Sequence, residues 1–142
     1  MMPLCAAEGI GVLPWSPLAR GRLTRAWKSE TTKRTETDQY AKILYSGTED
    51  ADKQVVDRLG EVAKRRRTPH AQVALAWLLA KPIVAAPIVG ATKPHHLDAT
   101  SALSVKLTPE EIQSLEEPTW RIRCSGSARL YRKILARTLT TP

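Results

Sequence analysis

Two short stretches carry the residue types that bind an anionic ligand. Residues 15–21 include the hydroxyl of Ser16, a hydrogen-bond donor, and Gly21, which lets a ligand approach the backbone. Residues 90–93 begin with a glycine and end with Lys93, a point charge ahead of a predicted helix. Both stretches suit phosphate binding, and for each a plain solvent-exposed turn is the alternative.

The candidate contacts combine an aromatic ring, hydroxyls, cations and small residues. They are Trp15, Ser16, Pro17, Leu18 and Gly21 in the first stretch, and Gly90, Ala91, Thr92, Lys93 and His96 in the second. Trp15 suits stacking on a planar ring, with a core position at the end of a strand as the alternative.

The remaining reactive residue types form no recognisable catalytic or metal set. His95 and His96 are adjacent and point about 100° apart on a helix, so they do not converge on one ion. Tyr40 and Tyr45 have no nearby Lys–Asp arrangement to tune a proton donor. Cys5 fits a small apolar filler. We therefore predict no metal site and no catalytic residue in this chain.

Two apolar runs must position these stretches. Residues 10–15 and 83–89 are predicted to be buried strands, each followed by a loop and then a helix, which is the order of an α/β protein. We call residues 16–25 the first exit loop and residues 90–93 the second exit loop. Parallel strands would bring both loops to one end, as two walls of one site.

Three further helices are predicted besides the one after the second exit loop, and a short one is predicted near residues 37–44. Residues 50–67 have an amphipathic pattern, and residues 71–80 are so apolar that the helix should be buried on most of its surface. Thr68 should cap this second helix, with Pro69 at its first position. Thr108 should cap the third in a capping box.

Composition favours one domain and disfavours two classes of partner. The 142 residues carry a net charge of +8, but all 14 acidic residues lie within residues 1–120, so the basic excess belongs mainly to the tail at 121–142. We therefore expect no nucleic-acid partner, although a tail-driven binder is an alternative. No apolar run approaches the about 20 residues of a membrane helix. Two cysteines, Cys5 and Cys124, and the absence of a signal peptide predict a cytoplasmic protein.

Four motifs in order resemble the aldo/keto reductases. Residues 9–21 resemble the seventh strand and exit loop of that family, and residues 71–79 the buried helix that follows. Residues 87–97 resemble its eighth strand and cofactor loop, and residues 107–112 its closing helix. The sequences of these motifs are most similar to the bacterial branch of the family, which is related to potassium-channel β-subunits. The resemblance covers residues 3–118.

This resemblance implies a (β/α)₈ barrel, with NADP(H) and a carbonyl substrate at the carboxyl ends of the strands. By resemblance, the first set of candidates lines the nicotinamide and pyrophosphate, and the second set, with Thr100, surrounds the adenosine 2′-phosphate. His96 stands where the family has Arg or Gln, Ala99 where it has Glu, and Thr100 where it has Asn.

The resemblance also implies that this chain is the C-terminal part of such a barrel, residues 1–120, followed by a basic tail. No position matches the family's catalytic Asp, Tyr, Lys or His, so we predict no reductase activity for the chain alone. The expected partner is a complementary N-terminal barrel half. The alternative function is a non-enzymatic nucleotide-binding or interaction module.

Overall fold

The computed structural model describes residues 1–27 and 48–121. The helix predicted near residues 37–44 and residues 122–142 of the basic tail lie outside them, so both stay predictions. Within the described residues, four α-helices occur: α1 (Met2–Ala7), α2 (Glu49–Arg66), α3 (His70–Leu79) and α4 (Pro109–Glu116). Three 3₁₀ helices span Ala19–Thr24, Pro94–Ser104 and Glu117–Arg121.

The core lies between helices α2, α3 and α4. Its buried members are Leu59, Val62, Ala63, Val73, Ala74 and Leu115. Helix α2 presents the predicted apolar face, with Val56, Leu59 and Val62 spaced three residues apart. Helix α3 buries four consecutive residues, 73–76, so it is buried on most of its surface as predicted.

The start of α3 differs by one residue from the prediction. The Thr68 hydroxyl donates to the Arg66 carbonyl at 3.1 Å rather than capping α3. Pro69 has an extended ψ of 145° and stands before the first helical residue, His70. The αL turn at Arg67, with φ +52° and ψ +40°, ends α2 and reverses the chain there, which explains the shift.

The prediction that residues 10–15 and 83–89 form two buried strands is wrong. Residues 10–15 and 83–89 meet at two isolated parallel bridges, Val12 with Val84 and Trp15 with Ile88. Between the bridges one segment advances three residues and the other four, so the ladder contains an extra residue. Pro14 and Pro87 also remove two N–H donors. Apolar side chains of both segments are also exposed, including Leu13 at 59% and Ile88 at 53%.

The capping box of α4 is confirmed. The Glu111 N–H donates to the Thr108 hydroxyl at 3.3 Å, and the Thr108 N–H donates to the Glu111 carboxylate at 2.9 Å. The helix predicted after the second exit loop is present, but as a 3₁₀ helix over Pro94–Ser104. Among the residues described, none of the helices has both the length and the apolar character needed to cross a bilayer.

Candidate functional site

Parallel pairing brings the two exit loops to the same end of the molecule. The Val12 N–H donates to the Ile83 carbonyl at 2.8 Å, and the Ile88 N–H donates to the Pro14 carbonyl at 3.1 Å. Because both segments run in the same direction, the chain after Trp15 and the chain after Ile88 leave side by side. The predicted neighbourhood of the two loops is therefore present, although the buried sheet is not.

The first exit loop has an unusual backbone. Ser16, Ala19 and Arg20 have φ values of +53°, +47° and +55°, and Gly21 has φ +96°. Backbone hydrogen bonds run within the loop, as from the Gly21 N–H to the Leu18 carbonyl at 2.9 Å. Non-glycine residues at positive φ are costly and cluster at ligand sites. Glycine adopts the φ of +96° at position 21 without a steric cost, so the turn itself favours a glycine there.

Trp15 lies on the surface at the start of this loop. Its side chain is 64% exposed, which excludes the core position considered as an alternative. The Arg20 guanidinium carbon lies 5.7 Å from the centre of the indole ring, a cation–π distance. The ring is therefore oriented by a neighbouring cation and leaves surface on which a planar group can stack.

The second exit loop is exposed along its whole length. Gly90, Ala91, Thr92 and Lys93 are all exposed, and a Cβ at Gly90 would meet no atom within 4 Å. The Thr92 N–H donates to Nδ1 of His96 at 3.2 Å, so one candidate backbone donor is paired with a candidate side chain. The structure thus brings Thr92 and His96 into contact at the start of the helix that follows Lys93.

A mostly apolar cavity of about 300 Å³ lies behind the second exit loop. Helix α3, residues 87–91 and the Pro94–Ser104 helix surround it, and His96 and Thr100 form its polar edge. The Thr100 hydroxyl donates to the Leu97 carbonyl at 2.7 Å. Ala91, His96 and Thr100 therefore share one cavity, whereas the residues of the first exit loop do not line it.

Sequence comparison decides the family. The profile of the aldo/keto reductase family matches residues 1–118. The chain belongs to the aldo/keto reductase family. The family assignment predicted from the sequence is therefore confirmed.

Relatives of known name agree with this assignment. The chain is 46% identical over 120 residues to a versiconal hemiacetal acetate reductase of Aspergillus parasiticus, covering 83% of this chain and 35% of that protein. It is 43% identical over 128 residues to a Schizosaccharomyces pombe protein that carries the name aryl-alcohol dehydrogenase, covering 89% and 35%. This aldo/keto reductase chain therefore spans about a third of the length of the relatives it matches.

A solved structure shares the fold. A glycerol dehydrogenase from Gluconobacter oxydans superposes with a TM-score of 0.64 at 21% identity, over 85% of this chain and 37% of the other. The likeness supports the (β/α)₈ barrel as the parent fold of the aldo/keto reductase chain. The assignment of this chain to the bacterial branch related to potassium-channel β-subunits stays a prediction.

Sequence reasoning missed the ion pairs that join distant elements of the fold. Arg22 donates through Nη1 to Oδ2 of Asp52 at 3.0 Å, joining the first exit loop to α2. The Trp77 indole donates to Glu116 at 2.9 Å, and Lys81 pairs with the same carboxylate, joining the end of α3 to α4. The hydrogen bond from Lys81, and to a smaller extent the one from the Trp77 indole, holds the pKa of the Glu116 carboxyl below its ordinary value. Partners 30 to 39 residues apart leave no local signal in the sequence.

The basic run at the end of α2 has a structural role beyond facing solvent. Arg66 binds Glu111 with Nε to Oε1 at 2.7 Å and Nη2 to Oε2 at 2.6 Å. This pair holds the pKa of the Glu111 carboxyl below its ordinary value, despite the opposing effect of burial. The acidic start of α4, complementary to the basic end of α2, was the available sequence signal.

Proposed function

We propose that this chain is the NADP(H)-binding part of an aldo/keto reductase that reduces carbonyl compounds by hydride transfer from nicotinamide. The observation that carries the proposal is the parallel pairing of Trp15 with Ile88, which sets the two exit loops side by side. Membership of the aldo/keto reductase family supplies the reaction class. On this proposal, residues 10–15 and 83–89 correspond to the seventh and eighth strands of the family barrel.

The residues present fit a phosphorylated dinucleotide. Lys93 is exposed beside Thr92 at the start of the Pro94–Ser104 helix, where a 2′-phosphate would meet positive charge and a hydroxyl. The exposed Trp15 ring would stack on the nicotinamide, and Ser16 would donate to it or to the pyrophosphate. Bound NADPH supplies the hydride, and the chain's own part is to hold and orient the two ends.

The departures from the family pattern lie on the adenine side. Ala99 has no polar group to bind adenine, and the Thr100 hydroxyl proton is already donated to Leu97. His96 accepts from the Thr92 N–H, so that donor becomes available to a phosphate when His96 turns away. Lys93 is therefore the residue on which preference for NADP(H) over NAD(H) should mainly depend.

No position of this chain resembles the catalytic residues that the whole enzyme requires. We propose that a complementary N-terminal barrel half supplies the catalytic Asp, Tyr, Lys and His, and that the 142 residues alone bind cofactor without turnover. Exposed apolar side chains on the paired segments support such a partner. They are Ile10, Leu13, Ile88 and Val89, between 39% and 59% exposed. A non-enzymatic interaction module would use the same surface.

The test is a binding titration followed by an activity assay on the purified chain. NADPH should bind more tightly than NADH, and Lys93→Ala should remove that difference while Lys106→Ala, an exposed lysine outside the loop, should retain it. With an aryl aldehyde, suggested by the name of one relative, the chain alone should not oxidise NADPH. Absence of NADPH binding would overturn the cofactor proposal, and turnover by the chain alone would overturn the division of roles.

A further inference from the structure

One charged contact joins the first exit loop to helix α2. Arg22 Nη1 lies 3.0 Å from Asp52 Oδ2, and their side chains are 27% and 19% exposed. The Thr48 hydroxyl donates to the same oxygen of Asp52, also at 3.0 Å. Asp52 is thus held at the first turn of α2 with its carboxylate aimed at the loop.

The loop needs support from outside itself. Three of its residues other than glycine have positive φ, and such a backbone persists only where surrounding contacts hold it. Leu18 and Leu23 pack against the core and supply an apolar attachment. The ion pair of Arg22 with Asp52 adds a directional contact between the loop and helix α2.

We propose that Asp52 is a positioning residue for the dinucleotide: through Arg22, it holds the first exit loop in the shape that contacts the nicotinamide and pyrophosphate. Asp52 itself touches no cofactor atom. The inference rests on the proposed function, in which this loop serves one end of NADP(H) and the second exit loop serves the other. Loss of Asp52 should therefore weaken binding of the whole dinucleotide and spare a ligand that reaches the second loop alone.

Adenosine 2′,5′-bisphosphate is such a ligand, because it has the adenosine and the 2′-phosphate but no nicotinamide. The experiment measures the Kd of NADPH and of this bisphosphate for the 142-residue chain, for Asp52→Asn and for Asp57→Asn. Asp57 is the matched control, an aspartate on α2 that pairs with Lys53 on the surface. Asp52→Asn should weaken NADPH binding about fivefold and leave the bisphosphate unchanged, since a partly exposed ion pair contributes up to about that factor. Asp57→Asn should change neither.

Other outcomes overturn the inference in distinct ways. Equal weakening of both ligands by Asp52→Asn would show a general structural role, and unchanged NADPH binding would show no role. Tighter NADPH binding would show that Arg22, released from Asp52, contacts the cofactor directly. If Asp52→Asn does not fold, Arg22→Gln, which leaves α2 intact, must show the same selective loss. An original chain that binds neither ligand would refute the proposed function itself.

Discussion

Arg66 and Glu111 form a two-point contact between the end of α2 and the first turn of α4, with N–O distances of 2.7 and 2.6 Å. The same carboxylate accepts the Thr108 N–H at 2.9 Å, so it also completes the capping box. One side chain thus stabilises the start of a helix and its attachment to a neighbouring helix.

Glu111→Gln should lower the free energy of unfolding by about 1.5–3 kcal/mol at neutral pH, the range for hydrogen bonds to charged groups. Urea unfolding measures the change. Glu61→Gln is the control, because Glu61 pairs with Arg58 at an exposed site and should cost little. Equal losses in the two variants would contradict a special role for Glu111.

The contribution of Glu111 should also depend on pH. Because its folded pKa is lowered, its stabilisation is fully present above the unfolded pKa of about 4.3 and is lost as pH falls through the folded value. Unfolding free energies of the original chain and Glu111→Gln should therefore converge as pH falls from the unfolded pKa through the lower folded one. A difference that stays constant down to acid pH would contradict this prediction.

Trp77→Phe should destabilise the chain by about 0.5–1.5 kcal/mol, since the indole N–H bond to Glu116 is lost while an aromatic ring remains. Glu116→Gln provides the contrast: it retains an acceptor for Trp77 but loses the charge that binds Lys81. The effect of Glu116→Gln should shrink in high salt, whereas the effect of Trp77→Phe should not. Thermal unfolding at low and high salt tests both.

Gly60 and His70 should be coupled, because a Cβ at Gly60 would lie 3.1 Å from the His70 ring. In a helix, Gly→Ala ordinarily stabilises by about 0.5–1 kcal/mol. Gly60→Ala should give less than this in the original chain and the full gain in a His70→Ala background. A double-mutant cycle measured by urea unfolding tests the coupling, and additive changes would show that the ring moves aside freely.

Gly21→Ala should destabilise the chain, whereas Gly90→Ala should not. Gly21 has φ +96° with open space around its Cβ position, so alanine there should cost about 1–2 kcal/mol through backbone strain alone. Gly90 has no positive φ and equally open surroundings, so alanine should leave stability nearly unchanged. If the proposed cofactor approaches the Gly90 backbone, Gly90→Ala should nevertheless weaken NADPH binding. Unfolding and titration measured on both variants separate the two effects.

The sequence by itself determined the local features of this protein. The capping box at Thr108, the spacing of Val56, Leu59 and Val62, and the apolar α3 all depend on residues within a few positions of one another. The two loop motifs and the family were readable for the same reason, because each motif is a contiguous run. Helix ends were less certain, as Thr68 shows, since small differences in the turn decide the first helical residue.

The sequence predicted that residues 10–15 and 83–89 run in parallel, but only the tertiary structure decided which side chains are covered and which distant side chains meet. The exposure of Trp15 depends on what packs around it, and the contact of Arg22 with Asp52 joins residues 30 positions apart. An apolar run is buried only where other elements cover it. Residues 10–15 and 83–89 contact each other through two isolated bridges and remain partly exposed. Such contacts depend on how the whole chain folds, so no local pattern records them.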